Sequence, residues 1–284
     1  MEIVFVTSEM TPYARTGGLA EVCGILPQEI AKLGHSVSVF LPKYKSVSES
    51  AFQLQVNLDP LHIPIGSEVE TGRVLSHRLG QVNVFFIDHP LFFHRDGLYG
   101  TPMGDYQDND RRFSVFQRSV IEAMKKMKIK PAVIHCHDWQ TGLISAYLKT
   151  LYRSDPFFKD TKTVFTVHNL AYHGAFPPDS ISTTGLSWDE FRFEKLEFYG
   201  KINFLKGGIV YSDAITTVSE RYSKEIQTNA FGCGMEGALT YRKNDLYGIL
   251  NGIDIAQWNP ASDAQISAPY DGENIDKKAV CKSA

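Results

Sequence analysis

Residues 13–24 read YARTGGLAEVCG, and they follow the apolar stretch EIVFVT at residues 2–7. The apolar stretch predicts a strand, and the spacing of apolar residues over 19–33 predicts a helix. The pair Gly17 and Gly18 therefore lies where a strand passes into a helix N-terminus. Free N–H groups and the helix dipole at such a place favour a phosphate, and glycine lets a ligand approach the backbone. A tight turn without a ligand is the alternative for a glycine pair taken alone.

The composition narrows the class of protein. The chain has 284 residues, 43% of them hydrophobic, which suffices for one large domain or two modest ones. The formal net charge of −3 gives no electrostatic case for nucleic acid or an acidic membrane as partner. Four cysteines without a C-x-x-C pair are typical of reduced thiols, and a strand directly after Met1 leaves no room for a signal peptide. We therefore expect a cytoplasmic protein.

Strand-like and helical patterns alternate along the chain. This alternation predicts an α/β fold with a Rossmann-like, doubly wound and mostly parallel sheet. Residues 43–80 interrupt it, and we expect an inserted hairpin or an irregular segment there. Strands are predicted at 2–7, 36–41, 82–87, 132–136, 163–167, 214–218 and 246–250, and helices at 19–33, 108–128, 141–152, 194–212 and 219–228.

The last part of the chain predicts a domain boundary. A polar stretch over 260–274 precedes DKKAVCKSA at 276–284, which looks like the opening of an amphipathic helix. No capping glycine or closing strand follows. We therefore interpret 1–258 as an N-terminal domain, and 259–284 as a linker and the start of a truncated second domain.

Polar residues follow three of the predicted strands. They are His137-Asp138, His168-Asn169 and Asn251-Gly252. Ligands of open parallel sheets bind beyond the carboxyl ends of the strands, so this convergence predicts a binding cleft. Taken singly, Asp138 is also a plausible helix cap, His168 a buried histidine and Asn251 a turn residue.

Other kinds of site find less support in the sequence. A metal site has to be considered because several histidines and an aspartate occur in this region: His135, His137, Asp138, His168 and His173. However, the sequence shows no closed tetrahedral set of ligands with cysteine partners. A G-x-S-x-G nucleophile elbow, a Walker P-loop and a G-x-G-x-x-G fingerprint are absent. Among the many aromatic residues most are expected in the core, and the glycine-punctuated stretches 92–107 and 231–238 are the best candidates for exposed binding loops.

Six segments together resemble one family, the bacterial glycogen synthases and plant starch synthases. They occur in the order expected of the N-terminal half of such an enzyme, and they cover essentially the whole chain. The segments are SEMTPYARTGGLAEV, HCHDWQTGL, FTVHNLAYHG, INFLKGGIVYSDAITTVS, GMEGAL and LNGID.

The resemblance implies a two-domain GT-B glycosyltransferase. Such an enzyme transfers glucose from ADP-glucose, or in some members UDP-glucose, to the non-reducing end of an α-1,4-glucan with retention, and it needs no metal or other cofactor. The second domain supplies most nucleotide contacts in the family, so we expect the 284-residue chain to transfer glucose poorly alone. The alternative is a stand-alone, non-catalytic glucan-binding or regulatory module.

The resemblance also implies roles for individual residues. Arg15 stands where the family has a nucleotide-sugar-binding lysine, and a guanidinium offers a planar fork instead of a point charge. Glu21 stands for an aspartate that is one methylene shorter. The implied catalytic residues are His168, Asp138 and Glu21; the nucleotide-sugar-binding residues are Arg15, Gly17, Gly18, Asn169 and Asn251; and the acceptor residues are Phe93, Tyr99 and Tyr172.

Overall fold

The structure is a computed structural model that describes residues 1–255 and 257–284. The described chain separates into two compact units, Met1–Leu250 and Asn251–Ala284. The first contains the large sheet. The second contains the 3₁₀ turn Ile275–Lys277 and the short helix α9 (Lys278–Ser283), where the sequence predicts the opening of a helix. The assignment of 1–258 and 259–284 as domains stays a prediction.

The seven predicted strands occur in the described chain within two residues of their predicted bounds, and the structure adds further strands that the sequence did not predict. Their bounds are β1 (Glu2–Val6), β2 (Ser36–Pro42), β3 (Gln55–Ile65), β4 (Glu68–Leu79), β5 (Val82–Asp88), β6 (Gly100–Thr101), β7 (Gly104–Asp105), β8 (Val133–His137), β9 (Lys162–Val167), β10 (Ala175–Phe176), β11 (Glu197–Phe198), β12 (Lys201–Asn203), β13 (Ala214–Thr217) and β14 (Leu246–Gly248).

The remaining helices of the described chain lie between these strands. They are α1 (Gly18–Lys32), α2 (Pro90–Phe93), α3 (Asn109–Met127), α4 (Leu143–Lys149), α5 (Ser180–Thr184), α6 (Phe204–Tyr211), α7 (Glu220–Glu225) and α8 (Glu236–Tyr241). Ser219 caps α7, since its side chain accepts from Tyr222 N at 3.0 Å. In the described part of the chain, no helix combines the length and the apolar character needed to cross a bilayer.

The large sheet confirms the predicted fold class. Its order within the described residues is β14-β13-β9-β8-β1-β2-β5-β4-β3, and the strands from β14 to β5 run parallel. β1 lies near the centre, with Phe5 opposite Val39 on one side and His135 on the other. The strand is almost fully buried, as its continuous apolar sequence predicts.

Within residues 43–80, β3 and β4 form a hairpin at one edge of the sheet, and residues 43–54 before it are turns and irregular structure. β3 and β4 pair antiparallel, and β4 pairs antiparallel with β5. β3 alternates exposed and buried residues near its end, from Leu61 to Ile65, so one face packs on the core and the other meets solvent. The hairpin interpretation of this segment is therefore confirmed.

The predicted helix over 194–212 is wrong in its first half. The helix α6 begins at Phe204, where Asn203 caps it by accepting from Lys206 N at 2.8 Å. Before it, β11 and β12 form a hairpin through Tyr199 and Gly200, which both have positive φ. The glycine and the capping asparagine break the helix, although the apolar spacing runs through both.

Candidate active site

The candidate site lies at the carboxyl ends of three adjacent parallel strands. β1, β8 and β9 are neighbours in the order β1-β8-β9. The loop containing Glu9 follows β1, Asp138 follows β8 and His168 follows β9. At Asp138 burial raises the pKa and the charge of Glu9 adds to this effect, whereas at His168 burial lowers the pKa and the charge of Glu9 opposes it. The structure thus brings together polar groups that are far apart in the sequence.

Glu9 organises the glycine-rich loop. The residue is 4% exposed, and its carboxylate accepts hydrogen bonds from Thr16 N at 2.5 Å, Gly17 N at 3.2 Å, Thr16 Oγ1 at 2.5 Å and Tyr99 Oη at 2.7 Å. Two backbone N–H groups expected to be free for a phosphate are therefore already used. The anion-binding potential of this turn rests on the first turn of α1, from Gly18 onward, whose N–H groups have no carbonyl partner within the helix.

Arg15 and Glu21 form an ion pair beside this loop. Arg15 Nη1 lies 2.8 Å from Glu21 Oε1, and 64% of the arginine side chain is exposed. An exposed pair of this kind contributes little stability, so the guanidinium is free to exchange its partner for a ligand. A Cβ on Gly17 or Gly18 would meet no atom within 4 Å. The space in front of both glycines is open to a ligand.

Asp138 occupies a strained position. Its φ of 55° and ψ of −178° lie in a region that is nearly specific to glycine, and such strain clusters at functional sites. The carboxylate accepts from His168 N at 2.8 Å and makes no side-chain cap to the 3₁₀ turn Trp139–Thr141. Burial raises the pKa of Asp138 to about 7, against the opposing effect of the His168 and Asn169 backbone N–H groups.

Three histidine rings lie close together near Asp138: the ring centre of His137 is 4.2 Å from that of His135 and 5.2 Å from that of His168. His137 Nδ1 is 2.9 Å from His168 Nε2, and His135 Nε2 is 2.6 Å from Thr166 Oγ1. Burial lowers the pKa of His168 to about 4 and that of His135 to about 3, and it holds the pKa of His137 well below its usual value. All three rings are therefore neutral near pH 7.

The burial of His137 assigns the proton between the paired rings. His137 Nε2 is buried and has no hydrogen-bond partner among the described residues. A proton on Nε2 would leave a buried N–H without an acceptor, which costs more than leaving a bare ring nitrogen without a donor. The proton of His137 therefore sits on Nδ1 and is donated to His168 Nε2. His168 then carries its own proton on Nδ1, where it is a donor for a ligand.

The histidines do not form a metal centre in the described part of the chain. No group of three or more His, Cys, Asp or Glu side chains there converges in a way that could hold an ion. His135 and His137 instead use their ring nitrogens on Thr166 and His168.

The predicted acceptor residues have different surroundings. Phe93 is fully buried between the Tyr44 ring and the Arg112 guanidinium, so the role as an acceptor residue that the resemblance implies does not fit its position. Tyr99 is largely buried, and its hydroxyl contacts Ser8 and Glu9. Tyr172 is exposed and available.

The predicted nucleotide-sugar residues Asn169 and Asn251 and the predicted binding loop 92–107 lie in different surroundings. Asn169 is exposed, and its Oδ1 accepts from Ala171 N at 3.0 Å. Asn251 begins the second unit, Asn251–Ala284. The stretch 92–107 is only partly a loop, because Phe92 and Phe93 belong to the short buried helix α2.

Sequence reasoning missed Glu9 and the pairing of His137 with His168. Glu9 carries a recognisable signal, since it is an acidic residue placed directly after a buried strand and before a glycine pair. The histidine pairing has no local signal. It arises because β8 and β9 are neighbours in the sheet, with His137 opposite Thr166.

We expect Glu9→Ala to lower the free energy of unfolding by about 3 kcal/mol, because hydrogen bonds to a buried charge contribute about 1.5–3 kcal/mol each. Glu9→Gln should cost less than about 1.5 kcal/mol. The glutamine oxygen can accept from the Thr16 and Gly17 N–H groups, and the Thr16 and Tyr99 hydroxyls can rotate to accept from the glutamine NH₂ group. Urea unfolding measures both. Glu29→Ala on the surface of α1 is the control and should change stability by less than about 0.5 kcal/mol. Equal losses for Ala and Gln at position 9 would contradict the role assigned to the loop contacts.

The pKa shifts also predict how stability depends on pH. Between about pH 4 and 6.5, His135, His137 and His168 bind protons when unfolded but stay neutral when folded, so stability rises with pH. Asp138 acts oppositely, because the folded state keeps a proton up to about pH 7 that the unfolded chain releases. Each group contributes at most about 1.4 kcal/mol per pH unit, so three histidines outweigh one carboxyl.

Urea unfolding between pH 4.5 and 7.5 measures this slope, which we expect to be positive up to about pH 6.5. His135→Gln should reduce the slope by removing one titrating group. A stability that stays constant or falls over this range would show that the histidines are protonated in the fold.

Comparison with known proteins shows the family to which the chain belongs. The family model described as the starch synthase catalytic domain matches residues 2–241, which is most of the chain. The chain belongs to the starch synthase catalytic domain family. The match includes the Glu9 loop, Asp138 and His168, and it confirms the resemblance drawn from the six sequence segments.

Individual relatives agree with this assignment. Glycogen synthase 2 of Geobacter sulfurreducens is 46% identical over 282 residues, which are 99% of this chain and 58% of the relative. Glycogen synthase of Koribacter versatilis is 44% identical over 284 residues, with shares of 100% and 58%. The catalytic domain of starch synthase IV from Arabidopsis thaliana, bound to ADP and acarbose, has a TM-score of 0.88 at 30% identity, covering 99% of this chain and 59% of that one. The chain thus spans less than two thirds of these members of the starch synthase family.

Proposed function

We propose that this chain is the acceptor-side, N-terminal catalytic part of a glycogen synthase. The complete enzyme would transfer glucose from ADP-glucose to the non-reducing end of an α-1,4-glucan with retention of configuration. The proposal rests mainly on one observation. The glycine loop held by Glu9, Asp138 and His168 follow three adjacent parallel strands of the sheet at their carboxyl ends. Family membership supports the reaction class, and the bound ADP of the starch synthase IV structure supports an adenine donor.

The residues have chemically matched tasks in this proposal. Breaking the bond between the anomeric carbon and the phosphate oxygen builds negative charge on the leaving diphosphate and positive charge on the sugar. Arg15 and the N-terminus of α1 stabilise the diphosphate. Asp138 accepts from a sugar hydroxyl, and His168 Nδ1–H donates to one, so that the acceptor O4 meets the anomeric carbon in a fixed geometry. No protein nucleophile is required.

The proposal includes a second domain and a location. The family relatives are longer than this chain, which supports a following domain that completes the nucleotide site. Four free cysteines, two of them buried, fit a reducing compartment, so we place the protein in the cytoplasm.

Glucose incorporation into glycogen tests the proposal. It should be measured with radiolabelled ADP-glucose and UDP-glucose, using this chain and the full-length protein from its natural coding sequence. We expect transfer from ADP-glucose by the full-length protein and at most about one per cent of that rate by the chain alone. Faster transfer from UDP-glucose would overturn the donor assignment. No transfer by the full-length protein, with glycogen still bound, would favour a non-catalytic glucan-binding module.

A further inference from the structure

A second cavity lies at the edge of the large sheet opposite to the candidate active site. Its volume is about 1040 Å³, at the upper end of the usual range for ligand pockets. Among its lining residues, Glu2 begins β1, Gln55 begins β3 and Lys130 lies just before β8. The candidate active site lies at the carboxyl ends of the parallel strands, so this cavity lies at their amino ends. We call it the amino-edge cavity.

One side of the amino-edge cavity is a row of polar side chains across three strands. Ser38 of β2 lies opposite Asn83 of β5, and Asn83 lies opposite Arg78 of β4. Residues that lie opposite each other in neighbouring strands share one face of the sheet. β2 and β5 are otherwise mostly apolar and buried. A polar row in such strands is a departure from core packing, and it offers hydrogen-bonding groups to the cavity.

Cations outnumber carboxylates around this cavity. Arg78, Lys128 and Lys130 line it, and Glu2 is the one carboxylate among its described residues. Arg78 Nη1 donates to the neutral Asn83 Oδ1 at 3.2 Å, and within the described chain neither lysine ammonium group has a hydrogen-bond or ion-pair partner. Positive charge that is not neutralised by a neighbouring carboxylate attracts an anion.

Two lining residues have backbone conformations that their side chains do not favour. Gln53 has a φ of 50°, and Lys128 ends α3 with φ 58° and ψ 30°. Positive φ is uncommon for residues other than glycine, and the left-handed residue that ends a helix is most often glycine or asparagine. Glycine would end α3 better than lysine does. The Lys128 side chain therefore has a use other than ending the helix.

The groups around the cavity select a class of ligand. Two of the three cations are lysines, whose ammonium groups act as point charges that suit the oxygens of a phosphate, whereas a planar carboxylate is best matched by the fork of an arginine. The side chains of Gln53, Gln55 and Ser76 add neutral donors and acceptors, and Phe52 and Phe85 add apolar surface. This combination suits a molecule with one phosphate group and an uncharged polar body.

We propose that the amino-edge cavity binds a small organic phosphate. The phosphate oxygens accept hydrogen bonds from Lys128, Lys130 and Arg78, and the hydroxyls of the organic part bond with the amide side chains. Since this site and the candidate active site lie at opposite ends of the strands, the ligand acts as an effector and leaves the reaction site open. It binds only the folded chain and therefore stabilises it by mass action.

Isothermal titration calorimetry with glycerol 2-phosphate tests the site. The chain should carry Arg15→Ala, which weakens anion binding at the N-terminus of α1. In that background Lys128→Gly should weaken binding about tenfold or more, and Lys130→Gln should do the same. Lys128→Gly should keep or raise the melting temperature, because glycine fits the left-handed position. Glu2→Gln removes the carboxylate and should strengthen binding.

Lys126→Ala is the matched control. It removes a neighbouring exposed lysine of α3 that does not line the cavity, so the affinity should change less than about twofold at about 0.1 M salt. Inorganic phosphate should bind more weakly than glycerol 2-phosphate, because it lacks the hydroxyl-bearing body. Citrate at equal ionic strength should bind more weakly as well.

Three results would overturn the proposal. They are the failure of the Arg15→Ala chain to bind glycerol 2-phosphate, equal affinities of the Lys128→Gly and Lys126→Ala chains, and tighter binding of inorganic phosphate or citrate than of glycerol 2-phosphate. Each result is independent of glucose transfer by the full-length protein, so this inference and the proposed function can fail separately.

Discussion

Asp138→Asn is expected to lower glucose transfer from ADP-glucose by about 100-fold or more in the full-length protein, which corresponds to about 3 kcal/mol of lost transition-state stabilisation. Asparagine keeps an oxygen for His168 N, so the turn after β8 stays in place. Above about pH 7, where the Asp138 carboxyl is ionised, the substitution removes a negative charge, and hydrogen bonds to a charged acceptor are about twice as strong as neutral ones. Initial rates at saturating glycogen and varied ADP-glucose measure the loss.

The same experiment needs a stability measurement. The unfolding free energy of Asp138→Asn at pH 7 should lie within about 1 kcal/mol of wild type, because burial already makes the Asp138 carboxylate costly to ionise. Asp160→Asn, at an exposed position between α4 and β9, is the control and should keep full activity. Wild-type rates for Asp138→Asn would remove this residue from the site.

Gly142→Ala is expected to destabilise the fold by about 3 kcal/mol or more and to lower the melting temperature by about 6 °C or more. A Cβ at this position would lie 2.0 Å from the carbonyl oxygen of Phe204, which is backbone and is tied to Gly174 O through its own N–H. The start of α4 and the start of α6 would have to move apart. Thermal unfolding followed by circular dichroism measures the shift.

Gly237→Ala is the matched control for that substitution. Gly237 lies inside α8, and a Cβ there would meet no atom within 4 Å. Alanine favours a helix by about 1 kcal/mol over glycine, so the melting temperature should hold or rise. If Gly142→Ala unfolds at the wild-type temperature, the close approach of the two helix starts is not a constraint.

Local patterns were enough to predict most of the fold. The apolar runs at β1 and β2 and the helical spacing of α1 and α3 predicted their elements, because these segments are long and bury a regular face. The helix over 194–212 failed for the opposite reason. Its apolar spacing is helical, but the Tyr199–Gly200 turn and the Asn203 cap set the backbone, and the buried partners of the hairpin stabilise it.

The residues of the candidate site likewise fall into those that the sequence could reveal and those that it could not. Asp138, His168 and the glycine pair could be found because polar residues directly after buried strands stand out in the sequence. The buried Phe93 could not be told from an exposed aromatic, because a single ring in a loop-like stretch has no periodicity that reveals its direction. Its burial depends on Tyr44 and Arg112, which reach it from other elements.

The sequence by itself determined the family, the parallel α/β sheet and the strand ends at which ligand-binding groups occur, since these depend on local patterns and on whole motifs. The tertiary structure decided how those groups are used. Glu9 closes the glycine loop, and His137 sets the proton on His168. Each of these contacts joins residues from different strands or loops, and only the packing of the chain brings such residues within hydrogen-bond distance.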